Sequence, residues 1–564
     1  MVVPEAAWNQ NYKYFERIGA DNVLFVSPGA IVMMTVNAEA IHQITSRREN
    51  FPKNTRDYKI LEVFGRNVVT TEGLLWRMHR KVTSASFNEK NTALVWDETI
   101  RQTQGLIRHW MRGDMGNEST ETLPNIDQDT MAVALKIIGY VGFGLKLLWP
   151  GEEIPADMDP EIAKFARRDP PPGHTMSFIE SLEQTLEKIF LKLLVPKFLL
   201  KNLPFQATKV AYDATENFSN YMKELLKYKQ RAIQAGDGGE PGMDIMGQLV
   251  HTQYGREKSS GKGKKEQIKL DDQEIIGNAF IMILAGHETT ANSLHFVMLE
   301  LAMHPESQRA LQRDVDAIFG RDSDPLTWEY EENVGPLLGS TVGASMNELM
   351  RVIPSVLEVP KMVSPDRDQP LMIDGKKHIL PKGMSIGLIV PGVQRNPRYW
   401  PKGDKNAEEH DANKFNPSRW IQQPDAKTKA DEEDSDSAPA EDWGGYQGPD
   451  SSPSLFRPVR GSYIPFSDGA RSCLGRRIAQ VEVVAALSVI SQNYSVELAV
   501  DEWATDEEVA VMTKDQRREL YKRAIKEADD TILTASQLIT LKLRQKHVPV
   551  RLVKRGCERF LNDL

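Results

Sequence analysis

The chain has 564 residues, of which 40% are hydrophobic and 26% charged, a balance typical of a globular protein rather than a disordered tail or a membrane bundle. Its net charge of −9 gives no overall attraction to phosphate backbones and argues against a nucleic-acid partner. The two cysteines, Cys473 and Cys557, are too few for a disulfide framework and fit a reducing compartment. Because no run of about 18 apolar residues occurs, the sequence predicts neither a transmembrane helix nor a signal peptide.

Apolar spacing predicts the elements in chain order. Residues 22–36 are interrupted by Ser-Pro-Gly and predict strand, turn and strand. From about residue 37 to 319 the spacing is mostly helical, and a long helix is expected from the capping residues Asp271 and Asp272 up to Pro305. A second helix, residues 345–352, ends before Pro354 and is followed by short β-branched segments to about residue 390.

The last third of the chain contains an unusual stretch. Residues 421–458 are rich in Asp, Glu, Ser, Pro and Gly, so we expect a disordered acidic insertion at the surface. A helix is predicted after Cys473, and residues 531–553 have the composition of strands. Together these elements predict a mainly helical α+β fold with small sheets near both ends, in one domain that covers residues 1–564.

The strongest signal is the segment PFSDGARSCLGRRIAQVE, residues 465–482. It places a lone cysteine before a helix and among arginines, where a thiolate is stabilised. Its glycines allow the backbone to turn sharply and to approach a flat macrocycle. The pattern resembles, position for position, the haem-binding signature of cytochromes P450; the matching residues are Phe466, Gly469, Arg471, Cys473 and Gly475. A purely structural cysteine is the alternative.

This resemblance implies a haem cofactor with Cys473 as the axial ligand of its iron, and a long helix that crosses over the haem. Trp76 and Arg80 in LLWRMHRKV resemble the family's pair that binds a haem propionate, and His79 is expected to add a donor. Lys361 in EVPKMV stands where the family often has an arginine for a propionate, and it keeps the charge but loses the fork geometry.

A further likeness lies outside the cysteine segment. Glu348 and Arg351, three residues apart on one helix, resemble the family's glutamate-arginine pair, and Arg419 in FNPSRW resembles the third member. We expect this trio to be buried and to hold the cysteine region in shape. An exposed ion pair is the alternative.

The long helix contains AGHETT, residues 285–290, which resembles the family's oxygen-activation motif. Small Ala285 and Gly286 leave room beside the iron, and Glu288 with Thr289 forms an acid-alcohol pair able to deliver protons through water. Thr290, about 100° further round the helix, is expected to face elsewhere. The alternative is a simple helix kink at Gly286.

An apolar substrate pocket is expected around this motif. The residues expected to line it are Tyr58, Ile60, Leu61, Phe64, Phe280, Ile281, Leu284, Ser355, Val356 and Leu357. The apolar, lysine-containing stretch of residues 188–205 predicts either contact with a membrane surface or a buried helix pair. The cations expected to form a docking face for an acidic flavoprotein are Arg77, Lys81, Arg476 and Arg477.

The resemblance therefore predicts a haem-thiolate monooxygenase that uses O₂ and electrons from an NADPH-cytochrome P450 reductase. The sequence as a whole resembles fungal microsomal members of the family that act in secondary metabolism. The alternatives are a haem-thiolate isomerase or dehydratase that needs no reductase, and a non-catalytic haem binder. The acid-alcohol pair favours the first. Most eukaryotic members have an N-terminal anchor that the chain as written lacks, so the expected location is the cytosolic face of the endoplasmic reticulum with an anchor, and the cytoplasm without one.

Overall fold

The computed structural model describes residues 4–235, 244–254, 270–403, 408–421 and 451–560. Its helices before the long one are α1 (Pro4–Gln10), α2 (Lys13–Ile18), α3 (Ala38–Ser46), α4 (Gly73–Ser84), α5 (Glu89–Trp110), α6 (Asp127–Phe143), α7 (Pro160–Ala166), α8 (Phe178–Glu187), α9 (Ile189–Leu194), α10 (Lys197–Asn202), α11 (Gln206–Ala235) and α12 (Ile245–Tyr254). The remaining helices are α13 (Asp272–Met303), α14 (Pro305–Phe319), α15 (Tyr330–Leu338), α16 (Thr341–Val352), α17 (Val390–Val393), α18 (Ser418–Ile421), α19 (Arg476–Asn493), α20 (Asp506–Val511) and α21 (Lys514–Leu533).

The strands are short and form four small sheets. They are β1 (Asn22–Ser27), β2 (Ala30–Thr35), β3 (Glu358–Met362), β4 (Gln369–Ile373), β5 (Lys376–Leu380), β6 (Ser385–Ile389), β7 (Tyr494–Leu498), β8 (Ser536–Gln537), β9 (Leu541–Lys542) and β10 (Val550–Lys554). The largest sheet has the order β1-β2-β6-β3, in which only β2 and β6 run parallel. The mainly helical α+β class is confirmed, and so is the strand, turn and strand of residues 22–36.

Helix α13 is the predicted long helix, and it is buried on nearly all sides. It begins with a capping box, in which Asp271 accepts from the Glu274 backbone N–H at 2.7 Å and Glu274 accepts in return at 3.1 Å. It ends at Met303 because Pro305 starts the next helix. At 1.5 Å per residue it is about 48 Å long and crosses the whole helical part of the protein.

Two helices that the sequence analysis did not predict, α20 and α21, lie between β7 and β8, and the predicted strand start at residues 531–533 is instead the end of α21. Tyr521 fixes α21 to the core. Its hydroxyl donates to the Ala302 carbonyl oxygen at 2.9 Å, accepts from the Leu498 N–H at 3.0 Å, and its ring stacks on Phe560. The buried Tyr521 side chain, with its hydrogen-bonded hydroxyl and its stacked ring, therefore attaches α21 to the core although the outer surface of this helix is highly charged.

The expected acidic insertion falls mostly on residues 422–450, which lie outside the described residues, so its disorder stays a prediction. The predicted C-terminal end of this insertion, residue 458, is too late. Leu455 is buried and Phe456 donates its N–H to the Trp420 carbonyl oxygen at 2.7 Å, in a cluster with Trp400. Residues from about 455 onward therefore pack on the protein and do not belong to a disordered segment.

Candidate haem-binding site

A cavity of about 370 Å³ lies between α13 on one side and the cysteine segment with α19 on the other. Cys473 lines this cavity, whereas Cys557 lies near the end of the chain and does not. The backbone N–H of Cys473 donates to the Phe466 carbonyl oxygen at 2.9 Å, which folds the segment into a tight loop. Helix α19 starts at Arg476, so the sulfur lies close to the positive end of a helix dipole.

The two glycines of the cysteine loop have different structural roles. Gly469 has φ +66°, and a Cβ there would lie 2.3 Å from the Thr45 carbonyl oxygen of α3. It is not among the residues that line the cavity, and it serves the turn that packs on α3, so its approach to a macrocycle stays a prediction. Gly475 and Phe466 do line the cavity, next to Cys473.

Four cations border the cavity: Lys53, Arg80, Lys361 and Arg471. Arg80 donates to the Ser472 carbonyl oxygen at 2.8 Å, and burial, opposed by Cys473, lowers its pKa to about 10. The Arg471 guanidinium lies 4.2 Å from the centre of the Trp76 ring. Trp76 itself is buried and also lines the cavity.

Lys361 tests whether this site fits a haem. It is 1% exposed, and its Nζ has no hydrogen-bond partner among the residues that the structure describes. Burial, followed by the charge of Arg471, lowers its pKa to about 8, while Glu72 opposes the shift. Since buried cations are normally paired, a free ammonium at the cavity wall fits an anionic group such as a haem propionate. The cations, the sulfur and the apolar walls together fit a haem.

His79 is placed differently from the expectation that it binds the haem. It does not line the cavity and is fully buried between α4 and α13. Its Nδ1 lies 2.8 Å from the Asn278 side-chain nitrogen, and its Nε2 lies 3.7 Å from Glu274. Asn278 also accepts from the Val68 N–H at 2.9 Å. His79 therefore connects α4 with α13, and Asn278 extends this contact to the loop before α4.

The AGHETT residues of α13 divide into two faces. Ala285, Gly286, Thr289 and Thr290 all line the cavity, and Glu288 does not. The expectation that Thr290 faces elsewhere is therefore wrong. Gly286 also serves the crossing with α6, because a Cβ there would lie 3.0 Å from the side chain of Ile138. This close packing is the physical reason for a glycine within the helix.

The expected substrate pocket is partly correct. Of the ten residues predicted, the cavity is lined by Tyr58, Ile281, Ser355 and Val356, and it is not lined by Ile60, Leu61, Phe64, Phe280, Leu284 or Leu357. Phe280 is buried in an aromatic cluster with Phe64, whose ring centre is 4.8 Å away, and with Phe218. These large rings pack on one another because that buries more apolar surface than a cavity wall.

Three apolar lining residues on α6 were not predicted: Ile137, Ile138 and Val141. Ile245 on α12 was also missed. Their spacing on α6 is that of one helical face, but the same spacing marks any core helix. The sequence contained no signal that separates the two cases.

The glutamate-arginine trio forms as predicted, and all three side chains are fully buried. Arg351 donates to both oxygens of Glu348, at 2.7 and 2.8 Å, and Arg419 donates to one of them at 3.2 Å. Burial alone raises the pKa of Glu348, but Arg351 and then Arg419 hold it below its ordinary value. Gln394, whose carbonyl accepts from Arg351, accepts at its side chain from the N–H of Ile464, just before the cysteine loop.

The expected basic docking face is only partly present. Arg476 is buried, Arg477 lies 3.3 Å from Glu89, and Arg77 lies 2.7 Å from a carboxylate oxygen of Glu49. Lys81 is exposed. Within the described ranges, no helix is long and apolar enough to cross a bilayer.

The fold and the site together define a haem-thiolate protein: a loop that presents one cysteine to an apolar cavity, cations for two carboxylates, and a long helix across the other side. Comparison with known proteins agrees with this class. The sequence model of the family described as Cytochrome P450 matches residues 5–521, and the chain belongs to this family.

Similar proteins include fungal monooxygenases. "Cytochrome P450 monooxygenase 124" of Postia placenta is 30% identical over 496 residues, covering 87% of this chain and 81% of the relative. "Phomenoic acid biosynthesis cluster cytochrome P450 monooxygenase" of Leptosphaeria maculans is 24% identical, covering 82% of this chain and 73% of the relative. The crystal structure of the cytochrome P450DA heme domain has a TM-score of 0.63 at 16% identity, covering 97% of this chain and 93% of that one.

The family membership identifies the chain as a cytochrome P450 monooxygenase, an oxidoreductase whose cofactor is a haem with a cysteine thiolate ligand. Such enzymes use O₂, an organic substrate and a redox partner.

Proposed function

We propose that this chain inserts one atom of O₂ into an apolar organic substrate at the cavity between α13 and the cysteine loop, with electrons from an NADPH-dependent reductase. The observation that carries the proposal is that Cys473 and Thr289, from two separate elements, line the same apolar cavity. A thiolate-ligated haem supplies the activation of dioxygen. The protein supplies the pocket, the protons and the exclusion of water.

We assign Cys473 as the residue whose thiolate would bind the haem iron, and Arg80, Lys361 and Arg471 as the cations that would bind the haem carboxylates. Their positions at the cavity wall support this assignment, as does the ammonium of Lys361, which has no hydrogen-bond partner among the described residues. Trp76 holds the plane of Arg471 by stacking and also supplies an apolar edge.

The proton-delivery assignment rests on Thr289 and Glu288. Thr289 lines the cavity and its hydroxyl donates to the Ala285 carbonyl oxygen at 2.7 Å, one turn earlier. Its oxygen therefore retains lone pairs that face the cavity. Glu288 is buried on the neighbouring face of α13 and acts as the acid that restores a proton to this hydroxyl through water.

The substrate is assigned as an apolar molecule because the walls contributed by α6 and α12 are aliphatic and most of the cavity lining is apolar. Two hydroxyls, those of Ser293 and Ser355, also line the cavity and lie 3.3 Å apart. These two hydroxyls could hydrogen-bond one oxygen-containing group of an otherwise apolar substrate. The name of the Leptosphaeria maculans relative supports a role in fungal secondary metabolism.

We further propose that α9, α10 and the residues up to Phe205 touch the cytosolic face of the endoplasmic reticulum. Phe198 is 67% exposed and Phe205 is 64% exposed, and two lysines, Lys188 and Lys201, lie nearby in the chain. Exposed aromatic residues with lysines are typical of interfacial helices. Ile189 and Leu200 are buried and attach these helices to the protein.

The experiment is steady-state turnover with a fungal NADPH-cytochrome P450 reductase, in which NADPH, hydrogen peroxide and product are measured together. Thr289→Ala should keep haem and NADPH consumption but divert much of the reducing power into hydrogen peroxide. Thr289→Ser, which keeps the hydroxyl, is the matched control and should stay coupled. Turnover from an organic hydroperoxide alone, with no product from NADPH and reductase, would contradict the proposal.

A further inference from the structure

A group of polar side chains lies where α13 meets the C-terminal residues 540–547. On α13, Glu288, Asn292 and His295 are four and three residues apart and share one face. All three are buried. Opposite them, Lys542 Nζ lies 3.7 Å from Glu288 Oε1, and the Asn292 side-chain nitrogen donates to the Thr540 hydroxyl at 3.0 Å. We name this group the polar seam; its members are Asp127, Glu288, Asn292, His295, Thr540, Lys542, Arg544 and His547.

The polar seam is rich in buried polar atoms that have no hydrogen-bond partner among the described residues. They are Asp127 Oδ1, Glu288 Oε2, Asn292 Oδ1, His295 Nδ1, Arg544 Nε and His547 Nδ1. Native proteins leave few buried polar atoms unbonded, and ordered water satisfies most of those that the protein does not. Six such atoms in one contiguous place provide the partners for a row of water molecules.

The charges of the polar seam are balanced. Lys542 and Arg544 face Glu288 and Asp127. Burial raises the pKa of Asp127, and His547 and Lys542 oppose that shift. Burial, followed by the charge of His547, lowers the pKa of His295 to about 3, so its imidazole is neutral and offers one donor and one acceptor.

The polar seam ends at a second cavity. This cavity has a volume of about 310 Å³ and is lined by β7, α21 and residues 546–549, including His547. His547 Nδ1 lies 3.9 Å from Asp127 Oδ1, and about a third of the His547 side chain is exposed. At its other end the seam reaches Glu288, whose neighbour Thr289 lines the haem cavity.

We propose that the polar seam is a water-filled route that carries protons from the second cavity to Glu288. The proposal rests on the proposed function, because Glu288 needs resupply only if its protons are consumed. Each proton that leaves the Glu288 carboxyl toward Thr289 is replaced by one passed along hydrogen-bonded water from the His547 end. Only O–H and N–H bonds break and form, and no electrons are transferred. Lys542 and Asn292 are positioning residues that keep the route polar and open.

The first test is a high-resolution crystal structure of the haem-loaded protein. It should show ordered water bonded to Glu288 Oε2, Asn292 Oδ1 and His295 Nδ1, and Asn292→Leu should remove the water at its own position. A dry seam in the wild-type protein overturns the proposal whatever the enzyme does in turnover.

The second test is thermal unfolding of the same haem-loaded protein. Lys542→Met removes the cation that lies 3.7 Å from the buried Glu288 and leaves only Arg544 facing it, so the unfolding temperature should fall, and adding Glu288→Gln should restore most of that loss. Lys526→Met, at an exposed lysine of α21 that does not line the second cavity, is the control and should change nothing. An equal loss with and without Glu288→Gln would show that the two side chains do not interact.

The third test is turnover with reductase in H₂O and D₂O. Asn292→Leu and Lys542→Met should each raise the ratio of hydrogen peroxide to product by about 10-fold and enlarge the solvent isotope effect, since general-acid steps typically contribute 10²- to 10⁴-fold. Lys542→Arg should restore coupling. If both variants stay as coupled as the wild type while Thr289→Ala uncouples, the seam proposal fails and the proposed function stands. If the wild type forms no product from NADPH, the proposed function fails, and the crystal structure alone decides the seam.

Discussion

Replacing Lys361 with Met tests the haem-carboxylate assignment quantitatively. A fall of the Lys361 pKa from its ordinary 10.5 to about 8 corresponds to about 3 kcal/mol that the fold pays to bury the ammonium. A haem propionate beside Nζ removes this penalty and returns the pKa toward 10.5. Haem binding should therefore take up a proton between pH 8 and 10.5, and it should be strongest below pH 8.

The expected loss of haem affinity in Lys361→Met follows from the same two pKa values. Lys361→Met should hold haem about two orders of magnitude less tightly than the wild type at pH 7, and equally tightly above pH 10.5. The assay is the rate of haem transfer to excess apomyoglobin as a function of pH. Lys361→Arg should remove the pH dependence between 8 and 10.5, because a guanidinium stays charged. Lys377→Met, on the exposed face of the β4–β5 hairpin, is the control. Equal retention by Lys361→Met and the wild type at pH 7 would refute the assignment.

Three further outcomes are expected. Cys473→Ala should abolish the strongly red-shifted Soret band of the reduced, carbon-monoxide-bound protein while Cys557→Ala keeps it, and a band that survives in Cys473→Ala would make the ligand assignment wrong. Arg351→Met should lower the free energy of unfolding in urea by about 3–5 kcal/mol, because it leaves a buried carboxylate without its main partner, and a loss below about 1 kcal/mol would contradict the trio's role. Gly469→Ala should cost more than about 1 kcal/mol because of its positive φ and the clash with α3, whereas Gly475→Ala, which meets only ordinary contacts, should not; equal costs would refute the turn argument.

The sequence predicted the elements whose residues interact locally. The capping box at Asp271 and the proline at residue 305 determine both ends of α13, and both signals are readable without tertiary structure. The glutamate-arginine trio was predicted because the resemblance supplied the long-range partner, Arg419, that spacing alone does not reveal. By contrast, α21 was missed although its capping box at Thr513 and Gln516 is a local signal, and its contact with the core, from Tyr521 to the Ala302 carbonyl oxygen, joins distant parts of the chain.

The errors at the site share one physical cause, which is the direction in which a side chain leaves its helix. His79 belongs to the same short motif as Trp76 and Arg80, yet it points between helices and not into the cavity. Thr290 was expected to turn away and instead lines the cavity beside Thr289. A motif identifies the turn of helix near the cofactor, but only packing against α6 fixes how that helix is rotated.

The rotation of α13 also explains why Glu288 needs a proton route that is separate from the haem cavity. Successive residues of a helix are about 100° apart, so a helix that presents Thr289 to the cavity directs Glu288 toward a different neighbour. That neighbour is the C-terminal segment with Lys542, not the substrate pocket. If Glu288 received its protons through the haem cavity, water would have to pass the bound substrate. An apolar substrate excludes such water. The same rotation that keeps Glu288 out of the haem cavity brings it into line with Asn292 and His295, and thereby connects it to the polar seam that we propose as its proton route.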